Sequence, residues 1–263
     1  MINANTDLGE DVLAAFRKGA KEDGSPIGRA VFDTLIQNAE IARTEKVPIC
    51  QDTGMAVFFV ELGQDARIEG ALLQDAIDDG VRKGYAEGYL RKSICDPFTR
   101  ANTKDNTPSV VIVEIVKGDG LKIIAAPKGG GSENMSRLTV LAPSAGKKGI
   151  VDFVVKRCEE AGSNPCPPVI VGVGVGGSAE KCMTIAKKAL LRKIGSVNPD
   201  PELAELEAET LEKINALGMG PQGLGGTTFA MAVHFEKHPC HIASLPVAVN
   251  ICCHASRHKE AIL

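Results

Sequence analysis

Glycine is concentrated in three short stretches of this chain, which holds 28 glycines in 263 residues. The stretches run from Gly129 to Gly131, from Gly172 to Gly177 and from Gly218 to Gly226. Glycine reaches backbone conformations closed to other residues, and it lets a second segment approach closely. We therefore expect sharp turns or close backbone packing at these three places.

The composition is that of a globular protein and argues against several functions. Apolar residues make up 44% and charged residues 24% of the chain, both ordinary values. A net charge of −3, with 4% aromatic residues and no Trp, argues against a nucleic-acid binder. No apolar run approaches the roughly 20 residues of a membrane span, and the N-terminus lacks the basic and apolar regions of a signal peptide. We expect a cytoplasmic protein whose eight cysteines are metal ligands or buried thiols and not a disulfide framework.

Hydrophobic periodicity predicts a mixed α/β fold, with a β-sheet core flanked by helices. Apolar repeats indicate helices at about 8–46, 70–92, 148–161, 178–193 and 201–217. Strands are expected at about 56–62, 110–116, 121–126, 168–175, 227–235 and 246–252. Gly118-Asp119-Gly120 between two β-branched runs predicts a hairpin. No low-complexity linker interrupts the chain, so we expect one catalytic domain over 1–263, with the N-terminal helical segment packed on the α/β core.

Three cysteines lie in turn-forming segments that suit metal ligands. Cys50 is in Val-Pro-Ile-Cys-Gln-Asp-Thr-Gly, Cys166 in Asn-Pro-Cys-Pro-Pro, and Cys253 in Asn-Ile-Cys-Cys-His-Ala-Ser-Arg-His. Three thiolates can hold three irons of a cubane cluster and leave the fourth iron open for chemistry. A single cysteine is more often a packed thiol, and we expect this of Cys158 and Cys182, which lie within helical patterns.

Two other patterns offer alternative sites. All five histidines fall in the last 30 residues, near Cys240, Cys252 and Cys253, and could form a zinc site, but their spacing fits no standard ligand pattern. Gly172 to Gly177 contains Gly-x-Gly-x-x-Gly between a strand and a helix, the pattern of an NAD-dependent dehydrogenase. No clear second strand with an acidic end follows it, so the other explanation is a close strand–helix turn.

Polar side chains near the cysteine loops suggest how an anion would be bound. The segment from Lys128 to Asn134, Lys-Gly-Gly-Gly-Ser-Glu-Asn, offers backbone N–H groups to a phosphate or a carboxylate. Gln51 and Asp52 would project beside a metal at Cys50; Asp52 could transfer a proton or simply close an Asx turn onto Gly54. Three arginines are candidates for bidentate carboxylate binding: Arg91, Arg100 and Arg257.

The order of these motifs resembles one family. In sequence the chain carries Cys-Gln-Asp-Thr-Gly, Tyr-Leu-Arg, Asn-Thr-x-x-Asn-x-Pro, Lys-Gly-Gly-Gly-Ser-x-Asn, Cys-Pro-Pro, Gly-x-Gln-Gly-Leu-Gly-Gly, His-x-Ala-Ser and Cys-x-Ala-x-Arg. This set is similar to the N-terminal region of class I, iron–sulfur fumarate hydratases and to the alpha subunit of L-tartrate dehydratase. The resemblance covers about residues 8 to 263.

The resemblance implies a [4Fe-4S] cluster and a set of site residues. Matched motif by motif, the cluster ligands are Cys50, Cys166 and Cys253. Cys253 is preferred over Cys252 from the register of Pro246-Val-Ala with Ala-x-Arg257. The substrate pocket and catalytic groups would come from these residues: Gln51, Asp52, Arg91, Gly130, Gly131, Ser132 and His241.

The activity implied is a hydro-lyase reaction on a C4 dicarboxylate. Hydration of fumarate to (S)-malate, a tricarboxylic acid cycle step, is the first expectation, and dehydration of L-tartrate to oxaloacetate is the alternative. The chain ends at Leu263, just after the third cysteine motif, whereas single-chain relatives continue into a further domain. We therefore expect an alpha subunit that is active only with a separate beta subunit, assembled as a dimer of alpha–beta pairs.

Overall fold

The computed structural model describes residues 1–263, which divide into two compact units. The first unit comprises Met1–Gly9, Asn38–Gly130 and Arg257–Leu263, and the second comprises Glu10–Gln37 and Gly131–Ser256. Each unit is built on one four-stranded sheet. The predicted mixed α/β fold is confirmed, and the single catalytic domain over 1–263 stays a prediction.

Helices and strands are distributed along the whole chain. The α-helices are α1 (Ile2–Thr6), α2 (Glu10–Glu22), α3 (Pro26–Glu45), α4 (Leu73–Glu87), α5 (Gly130–Glu133), α6 (Gly146–Ala161), α7 (Ala179–Ala189) and α8 (Pro201–Asn215). The strands are β1 (Met55–Gly63), β2 (Val110–Val116), β3 (Leu121–Lys128), β4 (Arg137–Leu141), β5 (Val169–Gly176), β6 (Ala230–His238), β7 (Leu245–Cys252) and β8 (Lys259–Ile262).

The sheet of the first unit has the strand order β2-β1-β3-β8. Strand β1 is parallel to β2 and antiparallel to β3, and it is buried from Ala56 to Val60. A strand that is apolar on both faces is best placed inside a sheet, and Phe58 and Val60 pack against Val81 of α4. The core of this unit therefore lies between β1 and α4.

The hairpin predicted at Gly118-Asp119-Gly120 is wrong, because β1 lies between β2 and β3. The connection must cross two interstrand spacings, about 9.6 Å, which the residues between Val116 and Leu121 can span. It passes over the end of β1, where a Cβ on Gly63 would lie 2.4 Å from the backbone oxygen of Gly118. Glycine at this crossing allows β1 to take the central position.

The sheet of the second unit has the strand order β4-β7-β5-β6. Strand β5 is parallel to β6 and antiparallel to β7. One face packs on α7, through residues such as Cys182 and Ala186, and the other packs on α6 and α8. The nearly continuous apolar run of β5 reflects this burial on both faces.

The glycines of β5 allow α7 to pack directly on the strand. A Cβ on Gly172 would lie 2.1 Å from the backbone oxygen of Ala186, and a Cβ on Gly174 would lie 2.1 Å from that of Cys182. Gly176, with φ of +85°, leaves the strand against His238. The spacing that resembles a dinucleotide-binding motif is thus explained by strand–helix packing, and helix α8 rather than a strand follows α7.

Several element boundaries differ from the predictions for local reasons. The predicted helix over 8–46 is two helices, because Asp23 accepts hydrogen bonds from Ser25, Thr227 and Thr228 and the chain turns there. Strands β4 and β8 were not predicted, since each is a short edge strand with too few residues for a clear alternation.

Gly174→Ala should destabilise the protein through the α7–β5 contact. The added methyl would meet backbone atoms of α7 that cannot rotate away, so we expect the free energy of unfolding to fall by about 2 kcal/mol or more. Gly80→Ala in α4 is the matched control, because nothing lies within 4 Å of its added Cβ. Chemical denaturation should show Gly80→Ala unchanged or stabilised by up to about 1 kcal/mol; equal effects would contradict the packing explanation.

Candidate active site

The Cys50 loop is held at its start by two backbone hydrogen bonds in the first unit. The N–H of Ile49 donates to the oxygen of Asn5 at 2.9 Å, and the side-chain amide of Asn38 donates to the oxygen of Ile49 at 2.9 Å. Ile49 itself is buried. The next residue, Cys50, is half-buried and begins the loop from a fixed position.

Tyr85 holds the end of the same loop. Its hydroxyl lies 2.8 Å from the oxygen of Gly54 and 3.1 Å from that of Thr53, and donates to this pair of carbonyls. Burial raises the pKa of Tyr85, so the phenol stays protonated as a donor. The hydroxyl of Thr53 in turn donates to the backbone oxygen of Arg91 at 3.1 Å. The side chain of Tyr85, which no sequence pattern indicates, therefore holds the backbone of the loop at Thr53 and Gly54.

Asp52 accepts a hydrogen bond at each carboxylate oxygen. Oδ1 accepts from the N–H of Gly54 at 3.0 Å, which is the Asx turn expected from the sequence. Oδ2 accepts from the N–H of Gly130 at 2.7 Å. The N–H of Gly130, predicted to bind a substrate anion, thus already has a carboxylate partner from within the chain.

Arg257 is a buried support of this arrangement. It is 4% exposed, and its Nη2 donates to the backbone oxygen of Asp52 at 2.8 Å, while Nη1 donates to Oδ1 of Asn5 at 3.1 Å. A Cβ on Gly129 would lie 3.3 Å from Oδ2 of Asp52, a tight contact, so this glycine lets the loop approach the carboxylate of Asp52. The sequence offered Arg257 as a carboxylate binder, and the structure gives it a bond to a backbone carbonyl.

Gln51 and Arg91, two of the predicted site residues, are in contact with each other. Nη1 of Arg91 donates to Oε1 of Gln51, and both side chains are exposed. The amide therefore holds one edge of the guanidinium. Arg100, the third arginine considered, is exposed on the segment after Arg91, with a backbone φ of +61°.

Asn106 links that segment to the Cys50 loop. The side chain is fully buried: Oδ1 accepts from the N–H groups of Ser93 at 2.7 Å and Ile94 at 3.2 Å, and Nδ2 donates to the oxygen of Gly54 at 3.2 Å. Asn106 was visible in the Asn-Thr-x-x-Asn-x-Pro motif, but its role depends on a partner 52 residues away, which spacing alone does not reveal.

In the second unit, the segments that carry Cys166 and Cys253 are hydrogen-bonded to each other. Cys166 is exposed with φ of +53°, and its backbone oxygen accepts from the N–H of His254 at 3.3 Å. Cys253 is half-buried and directly follows β7, whereas Cys252 ends β7 within an apolar cluster that includes Leu190. Of these two neighbouring cysteines, Cys252 is therefore the packed one.

Cys158 and Cys182 pack in the core, which confirms the expectation from their helical patterns. Both are fully buried, in α6 and α7 respectively. Burial raises the pKa of Cys158 to about 12 and that of Cys182 to about 11, so neither forms a thiolate easily.

The remaining predicted site residues lie in the second unit. Gly131 and the buried Ser132 belong to the short helix α5. His241 is exposed on the turn between β6 and β7, where its Nδ1 accepts from the N–H of Ala243 at 3.2 Å. Three other histidines contact backbone oxygens: His234 that of Ala189, His238 that of Pro239 and His254 that of Cys166. No three His, Cys, Asp or Glu side chains are grouped in the structure as ligands of a metal ion.

Comparison with known proteins decides the family. The family model described as fumarate hydratase (Fumerase) matches residues 1–262. The chain belongs to the fumarate hydratase family. The resemblance inferred from the ordered motifs is thereby confirmed, and this family member is a hydro-lyase of the class I type.

Named relatives cover nearly the whole of this fumarate hydratase family member. It is 43% identical over 256 residues to the putative L(+)-tartrate dehydratase subunit alpha of Methanocaldococcus jannaschii, covering 95% of this chain and 90% of the relative. It is 36% identical over 263 residues to the L(+)-tartrate dehydratase subunit alpha of Escherichia coli, covering 98% and 86%, and the same values hold for that of Shigella sonnei.

None of the helices in this family member combines the length and the apolar character needed to cross a lipid bilayer.

Tyr85→Phe should loosen the Cys50 loop of this fumarate hydratase family member. The substitution keeps the buried ring but leaves the carbonyls of Thr53 and Gly54 without the hydroxyl donor. We expect the free energy of unfolding to fall by about 1–2 kcal/mol in chemical denaturation. Tyr89→Phe is the matched control, since Tyr89 is 91% exposed, and it should change stability by less than about 0.5 kcal/mol. A Tyr85→Phe protein as stable as the control would contradict this role.

Proposed function

We propose that this chain is the alpha subunit of an L(+)-tartrate dehydratase, which removes water from L-tartrate to give oxaloacetate. The observation that carries this proposal is the name shared by relatives that are 43% and 36% identical over almost the whole chain. Hydration of fumarate to (S)-malate, the first expectation from the sequence, is the second candidate, and the description of the matching family model favours it. The names of the relatives favour tartrate.

The three loop cysteines are the proposed ligands of a [4Fe-4S] cluster. Thiolates are the usual ligands of such clusters, and the donor chemistry of Cys50, Cys166 and Cys253 fits. All three lie in loops at half-buried or exposed positions, where a thiolate keeps contact with solvent. The burial of Cys252 in an apolar cluster supports Cys253 as the ligand from that pair.

Substrate binding is assigned to the exposed arginine and its amide partner. When bound, a cluster with one iron free of protein ligands supplies a Lewis acid for the substrate hydroxyl. Arg91, held at one edge by Gln51, keeps further N–H groups for a substrate carboxylate. We assign a second carboxylate to donors around Gly131 and Ser132, because elimination beside a carboxylate builds negative charge that N–H and O–H donors stabilise.

Asp52 and His241 are the proposed catalytic residues. Both carboxylate oxygens of Asp52 accept hydrogen bonds from backbone N–H groups. Asp52 therefore also holds the Cys50 loop beside the segment that contains Gly130. His241, exposed on its turn, is proposed to hydrogen-bond the substrate. In the reaction the C3 proton and the C2 hydroxyl of tartrate leave as water, and the enol formed becomes oxaloacetate.

A separate beta subunit is the proposed partner. The words "subunit alpha" in the names of the relatives support it. We propose that the beta subunit supplies the group that removes the C3 proton, and that two alpha–beta pairs form the enzyme. The chain alone would then hold the cluster without efficient turnover.

The substrate can be decided by comparing tartrate with malate, which lacks one hydroxyl. The alpha chain, co-purified with its beta subunit under anaerobic conditions, should dehydrate L-tartrate with a kcat/KM at least about 100-fold above that for (S)-malate, because a site built to bind a hydroxyl rejects the analogue without it. A preference for (S)-malate and fumarate would replace this proposal with the second candidate.

Cys166→Ser should remove the cluster. We expect the unsubstituted complex to take up about four irons and four sulfides per alpha chain on anaerobic reconstitution, and the Cys166→Ser complex to lose most of both. Cys240→Ser is the matched control, since Cys240 is also exposed but donates to the backbone oxygen of Ser244 at 3.1 Å. Full iron uptake by Cys166→Ser, or none by the unsubstituted complex, would reject the ligand assignment.

A further inference from the structure

We propose that Gln222 and His254 are positioning residues that clamp together the two segments carrying Cys166 and Cys253, and so set how firmly the cluster is held. The inference rests on the proposed assignment of these two cysteines as ligands. Neither positioning residue is itself a proposed ligand or substrate contact.

Gln222 grips the residue that follows Cys166. Its backbone N–H donates to the oxygen of Pro167 at 2.9 Å, and its side-chain Nε2 donates to the same oxygen at 2.6 Å. The same Nε2 lies 3.3 Å from Nδ1 of His254. One amide group therefore contacts both cysteine-bearing segments.

His254 completes the clamp from the other side. It directly follows Cys253, and its backbone N–H donates to the oxygen of Cys166 at 3.3 Å. Nδ1 lies 3.0 Å from the same oxygen: protonated, it donates to that oxygen, and unprotonated, it accepts from Nε2 of Gln222. The ring lies beside that of the buried Phe16, with centroids 6.5 Å apart. A displacement of either cysteine segment would have to break these contacts.

The backbone of Gln222 has a left-handed conformation that fixes the direction of its side chain. Its φ of +54° and ψ of +12° are left-handed values that a non-glycine residue adopts only where its surroundings hold it. The glycines around it close the loop tightly: a Cβ on Gly220 would lie 2.2 Å from the carbonyl carbon of Gly225, and one on Gly223 would lie 2.6 Å from Cβ of Ser163.

The other end of this glycine loop is also anchored. The carboxylate of Asp23, which is 1% exposed, accepts from the N–H groups of Thr227 at 3.1 Å and Thr228 at 2.9 Å. The third glycine cluster of the sequence is thus a braced loop that presents Gln222 to Pro167 and His254.

This geometry predicts an effect on cluster retention rather than on substrate binding. Replacing a residue that orients a metal ligand without touching the metal commonly lowers metal affinity by about 10- to 100-fold. Gln222 bonds to the carbonyl one residue beyond Cys166, and His254 is one residue beyond Cys253. Loss of the clamp should therefore let the two thiolates move apart and release iron faster.

The test measures how fast a chelator bleaches the visible absorbance of the reconstituted alpha–beta complex. Gln222→Gly removes the side chain while suiting the left-handed backbone, and the similarly sized Gln222→Glu removes the side-chain N–H donor to Pro167 and keeps the backbone donor. Both should lose iron about tenfold faster than the unsubstituted complex, with the thermal midpoint of the iron-free protein unchanged. Lys46→Gly is the matched control, because Lys46 is exposed with φ of +57°, and it should lose iron at the unsubstituted rate.

Two results would overturn the clamp, and a third would reject its premise. Iron loss at the unsubstituted rate in both Gln222 variants, while Cys166→Ser takes up no cluster, would overturn the clamp and leave the ligands in place. Faster iron loss together with a thermal midpoint of the iron-free variant below that of the unsubstituted protein would show a general folding role and would also overturn the clamp. Full iron uptake by Cys166→Ser would instead reject the ligand assignment on which the clamp rests.

Discussion

The carboxylate of Asp52 is the acceptor on which the candidate site of the first unit depends. It satisfies the N–H of Gly54 on its own loop and that of Gly130 on a segment far along the chain. Arg257 then binds the backbone oxygen of the same residue. Leaving a buried arginine or a hydrogen-bonded carboxylate without its partners costs free energy. Three hydrogen bonds at Asp52 therefore hold the loop that carries Cys50.

Local patterns predicted most helices and strands, and they failed where distant contacts decide. The β1, β5 and β7 runs were recognisable because their apolar residues are continuous and buried. The order of β2 and β3 was not, since nothing near Gly118 reveals that β1 lies between them. Short edge strands such as β4 carry too little periodicity to be found.

Sequence motifs indicate the residues of the candidate site, but they do not indicate the side chains that support it. Cys50, Gln51 and Asp52 stand in one motif, and the structure pairs Gln51 with Arg91 from another. Tyr85 and Asn106 act on the same loop from positions that no spacing rule connects to it. Their partners are backbone carbonyls, which carry no identity in the sequence. Side chains that bind backbone groups are therefore the part of a site most easily missed.

The first unit is assembled from both ends of the chain. Asn5 lies near the start, Asp52 follows, and Arg257 and strand β8 come from the last residues, with β8 adding to the edge of the sheet beside β3. During synthesis on the ribosome, the sheet of the second unit can complete its strands once Cys252 has emerged. The first unit must wait for Arg257 and Ile262. The hydrogen bond from Arg257 to Asp52 is consequently completed only after the segments with Cys166 and Cys253 have been made.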